Sequence, residues 1–172
     1  DEIIKDMRRF NSKHVVITGG EPFLQKDLGL LCDRLKEYDK FITIETNGTI
    51  YQKTNADFLS ISPKLKSSTP IGTKYAEGHE SNRIKIDILN QLIESYDYQM
   101  KFVVSKNEDL NEISQLINEL SIEKEKVYLM PEGRTREDLA KKREMVWQAS
   151  RICGYNYSDR LHIIIWNKKT GV

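Results

Sequence analysis

Five short segments concentrate the polar and conformationally special residues of this chain: Thr18-Gly-Gly-Glu-Pro22, Glu45-Thr-Asn-Gly-Thr49, Ser60-Ile-Ser-Pro-Lys64, Val103-Val-Ser-Lys106 and Met130-Pro-Glu-Gly-Arg134. Gly19 and Gly20 carry no Cβ, so a ligand can approach their backbone closely. Glu21 supplies a carboxylate able to pair with a ligand ammonium. Each segment also has an ordinary reading. Gly, Pro and Asn-Gly are common turn residues, with Asn47-Gly48 suited to a positive φ. Lys64 can be a solvated loop cation, and Arg134 and Arg136 can be charges at the start of a helix. Metal chemistry has little to work with locally. The two cysteines, Cys32 and Cys153, lie far apart, and His14, His79 and His162 fall at no ligand spacing.

The elements that must position these segments alternate between strand-like and helical runs. His14–Thr18 is a β-branched run that predicts a buried strand, and Lys26–Tyr38 places Leu28, Leu31 and Leu35 on one helical face with Cys32 among them. Phe41–Glu45 and Asp57–Ser62 predict two more strands, the second stopped by Pro63. Lys64–Asn82 is rich in Ser, Thr, Gly and Pro and predicts a long, functional loop. Ile84–Tyr96 is helical in its second half, while alternation of Ile84, Ile86 and Ile88 leaves its start open to a strand. Tyr98–Val104 is a strand, followed by a helix through Leu110, Ile113, Leu116, Ile117 and Leu120 with Asn107 as its cap. Lys126–Met130 predicts a strand, Thr135–Cys153 a helix and Arg160–Trp166 a sixth and last strand.

Strands alternating with helices imply an α/β fold with a parallel sheet and right-handed crossovers. Six strands are too few for a closed eight-stranded barrel, and no G-x-G-x-x-G follows the first strand, so an open, partial barrel fits best. In such folds ligands bind at the carboxyl ends of strands, where all five segments fall. The 172 residues suit a single domain, 1–172. Lys+Arg 27 against Asp+Glu 26 gives a formal charge of +1, without the basic excess a nucleic-acid binder needs. An apolar share of 38% supports a core, and neither a membrane span nor a secretory signal is visible, so a cytoplasmic protein is expected. Trp147 and Trp166 are expected in the core, and Glu123–Lys126 on a solvated surface.

The run V-V-I-T-G-G-E-P resembles the GGEP motif of radical SAM enzymes. More narrowly, T-G-G-E-P-F-L-Q, I-E-T-N-G-T, S-I-S-P-K, L-M-P-E-G-R-T and D-R-L-H-I-I-I-W-N-K-K-T-G-V are similar to the 7-carboxy-7-deazaguanine synthases, in order from Val15 to Val172. The resemblance implies a partial radical SAM barrel and the rearrangement of 6-carboxy-5,6,7,8-tetrahydropterin to 7-carboxy-7-deazaguanine with loss of ammonia, on the route to queuosine and related 7-deazapurines. It implies S-adenosylmethionine, a 4Fe–4S cluster and Mg²⁺ as cofactors, and a homodimer. It places Gly19, Gly20 and Glu21 near the methionine part of S-adenosylmethionine, and Ser62, Pro63 and Lys64 along the cofactor. The strand end Lys101–Val104 would meet its adenosine, and Thr18 and Val172 would touch the pterin. Asn167 stands where many members have glycine.

The family's C-x3-C-x2-C, which supplies the cluster thiolates, is not found, and the chain begins at Asp1. The expectation is therefore a carboxyl-terminal part of such a synthase lacking its first β-α unit, inactive as it stands, with no metal ligands and no assignable catalytic residue. Three rivals remain: an activase of a glycyl radical enzyme, which shares the GGEP logic but acts on protein; a cluster-free, non-catalytic binding module; and a plain nucleotide-binding α/β domain that binds without iron.

Overall fold

The computed structural model describes residues 2–169. Its elements in chain order begin with α1 (Glu2–Met7), β1 (His14–Ile17), α2 (Leu28–Lys36), β2 (Phe41–Thr46) and β3 (Phe58–Ile61). They continue with α3 (Ala76–Asn82), α4 (Ile86–Ser95), β4 (Asp97–Val104) and α5 (Asp109–Glu119). The last are β5 (Val127–Pro131), α6 (Arg136–Cys153), β6 (Asn156–Tyr157) and α7 (Leu161–Trp166). The chain divides into two compact units, residues 1–61 with 85–98, and residues 62–84 with 99–172.

In the first unit β1, β2 and β3 pair in parallel and in chain order, with Ile17 opposite Ile44 and Thr46 opposite Ile61. β2 alternates strictly, burying Ile42, Ile44 and Thr46, as a strand with one face in a core must. Leu28, Cys32 and Leu35 of α2 and Leu89 and Leu92 of α4 are buried at helical spacing. β1 is less covered than its β-branched composition predicts. It alternates between exposed and half-buried residues, and Val16 is 56% exposed. Among the described residues of this unit β1 pairs with β2 alone, and the core of aliphatic residues forms further in, along β2 and β3.

In the second unit β4 and β5 run parallel with Val104 opposite Pro131, and β5 pairs in parallel with β6 at Tyr128 and Leu129. α5 buries Ile113, Leu116 and Ile117. α6 opens on a full capping box, in which the Thr135 hydroxyl takes the Asp138 N–H while the Asp138 carboxylate takes the N–H of Thr135. It closes on Gly154 at φ 74°, the left-handed position that ends helices on glycine.

The alternating α/β pattern is thus as expected, and several elements differ. Arg160–Trp166 is not a strand: β6 at Asn156–Tyr157 occupies the place beside β5, and Leu161–Trp166 winds into α7 with Ile163 buried. A short apolar run has no periodicity that separates the two states. The stretch 64–82 is not wholly a loop, because α3 forms within it. Ile86 and Ile88 belong to α4 rather than to a strand. α5 begins after Glu108, not Asn107, and the buried Asp109 carboxylate ties its first turn by accepting the N–H groups of Ser105 and Lys106. Trp147 and Trp166 are 51% and 43% exposed, and neither is core. α1 carries no sequence signal strong enough to have been anticipated.

Candidate functional site

The first unit joins two of the five segments at the carboxyl ends of β1 and β2. Glu21 is 8% exposed and its carboxylate faces inward. Its Oε1 accepts the Thr46 hydroxyl at 2.8 Å and the Phe23 N–H at 3.1 Å, and its Oε2 accepts the Asn47 N–H at 2.7 Å. The Thr46 hydroxyl in turn accepts the Gly48 N–H at 3.1 Å. Asn47 Oδ1 accepts both the N–H and the hydroxyl of Thr49. The bracket orders the Thr18–Pro22 loop against the Glu45–Thr49 turn and satisfies polar groups that burial would otherwise penalise.

Two consequences follow for the loop. Gly19 and Gly20 sit at φ 101° and 45°, conformations that side chains disfavour, and a Cβ on either would meet no atom within 4 Å. Their backbone is thus held open. Thr18 is exposed and donates its hydroxyl to Glu45 Oε2 at 2.9 Å. Glu21 itself is taken up by three internal donors, so the groups of this loop that face outward are the glycine peptides and Thr18.

The other three segments meet in the second unit. Ser62, Pro63 and Lys64, the β4 end at Val103 and Ser105, and Glu132, Gly133 and Arg134 after β5 line one cavity of about 640 Å³. That volume lies within the ~300–1,000 Å³ usual for small-molecule sites. Its remaining wall includes His79 of α3 and Arg160, neither assigned a role from sequence. Arg160 lies within the D-R-L-H run, which could have flagged it; His79 sits in an irregular stretch with no motif.

Ion pairs fix the walls. Arg83 bridges Glu80 at 2.8 Å and Glu112, and donates to the Lys64 carbonyl at 3.2 Å, which ties the 62–84 segment to α5. Glu112 also accepts the Lys66 N–H at 2.9 Å. The Arg83 guanidinium and the Thr69 hydroxyl hold the Glu80 carboxyl down to about 2. Glu132 pairs with Lys142 of α6. The Asp159 carboxylate accepts from Arg143 at 2.6 Å and from the Tyr157 hydroxyl at 3.0 Å. Burial, then that hydrogen bond to a carboxylate, push the Tyr157 phenol up to about 12.

The cavity of the second unit, with its polar and cationic lining, has the room and the chemistry for a nucleoside-type ligand. An iron–sulfur cluster does not fit. Among the described residues no group of three or more His, Cys, Asp or Glu could hold a metal ion. Cys32 is buried within α2, where burial pushes its thiol up, and Cys153 ends α6. Val172 lies outside the described residues. No helix among the described residues is long and apolar enough to cross a membrane.

The Radical SAM superfamily model matches residues 1–120. The 7-carboxy-7-deazaguanine synthase of Halobacterium salinarum is 40% identical over 181 residues, covering 97% of this chain and 70% of that protein. The synthase of Rhodopirellula baltica is 36% identical over 175 residues, covering 99% and 68%. Among solved structures, QueE from Escherichia coli matches 92% of this chain with a TM-score of 0.66 at 21% identity, and the chain spans 61% of it. Streptococcus suis SuiB matches the same share with a TM-score of 0.61 at 16% identity. The structural matches carry the fold, an open parallel α/β sheet of the radical SAM kind, and the sequence matches carry the kinship. The chain belongs to the radical SAM superfamily and, within it, to the 7-carboxy-7-deazaguanine synthases.

Proposed function

We propose that this chain is the part of a 7-carboxy-7-deazaguanine synthase that holds S-adenosylmethionine and the pterin substrate, 6-carboxy-5,6,7,8-tetrahydropterin. The observation that carries the reading is the convergence of Ser62-Pro63-Lys64, Val103, Ser105 and Glu132-Gly133-Arg134 on one cavity. These segments lie far apart in the sequence. In this reading Ser62–Lys64 and Val103 line the cofactor, and the family resemblance assigns Gly19 and Gly20 to its methionine part. Glu21 acts through the bracket that presents those peptides, not as a direct partner of the ammonium. Thr18, at the same rim, is the substrate contact, with Val172 as its counterpart from the end of the chain.

The 4Fe–4S cluster of the family supplies the electron that cleaves the cofactor. Two separated thiols are not a ligand set for it, because such clusters need several converging thiolates. The chain alone is therefore proposed to bind without turning over, and no catalytic residue is assigned within it. A Mg²⁺ requirement and a homodimer rest on the family resemblance.

Titration of the chain with S-adenosylhomocysteine tests the binding half of the reading. Saturable binding that weakens in Ser62→Ala and Lys64→Ala is expected. A folded chain that binds no such nucleoside overturns it. Anaerobic iron and sulfide reconstitution tests the other half: a stoichiometric 4Fe–4S cluster on this chain would overturn the ligand argument.

A further inference from the structure

We propose that Arg160 is the group in this cavity that reads a carboxylate on the bound small molecule. The inference deepens the reading given above and rests on it for the choice of ligand. Arg160 lines the cavity together with Arg134, against a single carboxylate, Glu132. That carboxylate is already engaged with Lys142. The cavity is thus a concave, cation-lined surface that favours an anion. The Arg160 Nε–H is buried and has no acceptor among the described residues. A buried N–H left unpaired costs free energy, and a guanidinium edge is shaped to be satisfied by a planar carboxylate through paired N–H donors.

Arg160 is also held in place from both sides. Its own backbone N–H donates to Asp159 Oδ1 at 2.7 Å, and Asp159 is clamped in turn by Arg143 and Tyr157. Arg160 is the N-terminal capping residue of α7, and the far end of that helix is gripped by Arg136. The Arg136 guanidinium donates to the carbonyls of Ile164 at 2.8 Å and Ile165 at 2.6 Å. An ordered backbone beneath Arg160 lowers the ordering cost when it takes a ligand.

The proposed cofactor and the proposed substrate each carry a carboxylate, and matched ligand pairs separate them. Binding to the full chain is measured for S-adenosylhomocysteine against 5′-methylthioadenosine, which lacks the aminocarboxylate, and for pterin-6-carboxylate against pterin. Arg160→Met is expected to weaken the carboxylate-bearing member of one pair by about tenfold or more while leaving its partner unchanged. Arg160→Lys should recover part of that loss, since it keeps the charge and loses the fork. The pair that responds names the source. Unchanged ratios in both pairs overturn the assignment. If the wild-type chain binds none of the four ligands, the cofactor-and-substrate reading falls on its own. Arg160 is then judged by its Nε–H resonance in the wild-type chain on titration with malonate, where a saturable shift absent for other arginines supports it and no shift overturns it.

Discussion

The Glu21 carboxylate holds the backbone N–H of Asn47 at 2.7 Å across 26 positions of sequence, and so sets the shape of the glycine loop from the neighbouring strand end. Most of the interest of the GGEP segment lies in this indirect role. A buried acceptor that serves Thr46, Asn47 and Phe23 together cannot be removed without stranding three donors.

Glu21→Ala is therefore expected to cost about 3 kcal/mol of stability, from the unsatisfied donors and the lost charge-assisted bonds. Glu21→Gln keeps one acceptor oxygen and should cost less. Urea unfolding followed by circular dichroism checks both. A group that only met ligand would leave the unfolding midpoint unchanged, and that result would remove the bracket from the argument.

Glycines of the two strand-end segments should separate cleanly by mutation. Gly48 lies at φ 76°, and a Cβ there would stand 2.5 Å from Leu89 Cδ2 and 3.0 Å from Ile61 Cγ2, both buried. Gly48→Ala combines backbone strain with overpacking and should destabilise by about 2–4 kcal/mol. Gly19→Ala meets no atom within 4 Å, so only strain remains, about 1–3 kcal/mol. Its larger effect is expected on nucleoside binding, read by titration of the folded variant with S-adenosylhomocysteine.

Acid should loosen the 62–84 segment only as the Glu80 carboxyl takes up its proton. Glu80 is held at about 2 by Arg83 and Thr69, against an ordinary value of 4.5. A lowered folded value means that the contribution is present above 4.5 and is lost as pH falls through about 2. Carboxyl-carbon NMR should show one Glu titrating near 2, and Glu80→Gln should remove that resonance. A Glu80 titration near 4.5 would show that the contact with Arg83 is not kept in solution.

The alkaline limb reports on the Asp159 contacts beside Arg160. Tyr157 is raised to about 12 from 10.0, so its contribution is complete below 10 and fades as pH climbs through 12. Ultraviolet titration should leave a late phenolate step that Tyr157→Phe abolishes. Asp159→Asn should move the step down, because the hydrogen bond to a carboxylate is one of its causes. A step that ignores Asp159 would mean that burial alone accounts for it.

Much of this was legible in the sequence wherever period and punctuation agreed. β2 shows the alternation of Phe41–Glu45, and α5 shows the spacing of Ile113, Leu116 and Ile117. The five polar segments could be placed at strand ends because each directly follows a β-rich run. What stayed hidden needed distance information. Nothing in the order of residues says that Glu21 turns inward to Thr46, or that Arg160 faces the same cavity as Ser62. Arg160–Trp166 misled because Ile163, Ile164 and Ile165 favour strands intrinsically, while tertiary context sets that preference aside.

Asn167 turns a departure from the family pattern into a testable trade. It follows α7 at φ 56° and ψ −119°, a conformation that suits glycine and strains a side chain. Its Oδ1 accepts the Arg136 N–H at 3.0 Å, at the first residue of α6. The amide thus offsets the strain by satisfying a donor that the helix leaves unpaired. Asn167→Ala keeps the strain and loses the acceptor, and should destabilise by about 1–2 kcal/mol. Asn167→Gly loses the acceptor but relieves the strain, so it should fall within about 1 kcal/mol of the parent. Thermal unfolding of the two variants side by side decides the matter. Equal losses would mean that the backbone there is not strained, and no loss in either would mean that the contact with Arg136 carries no weight.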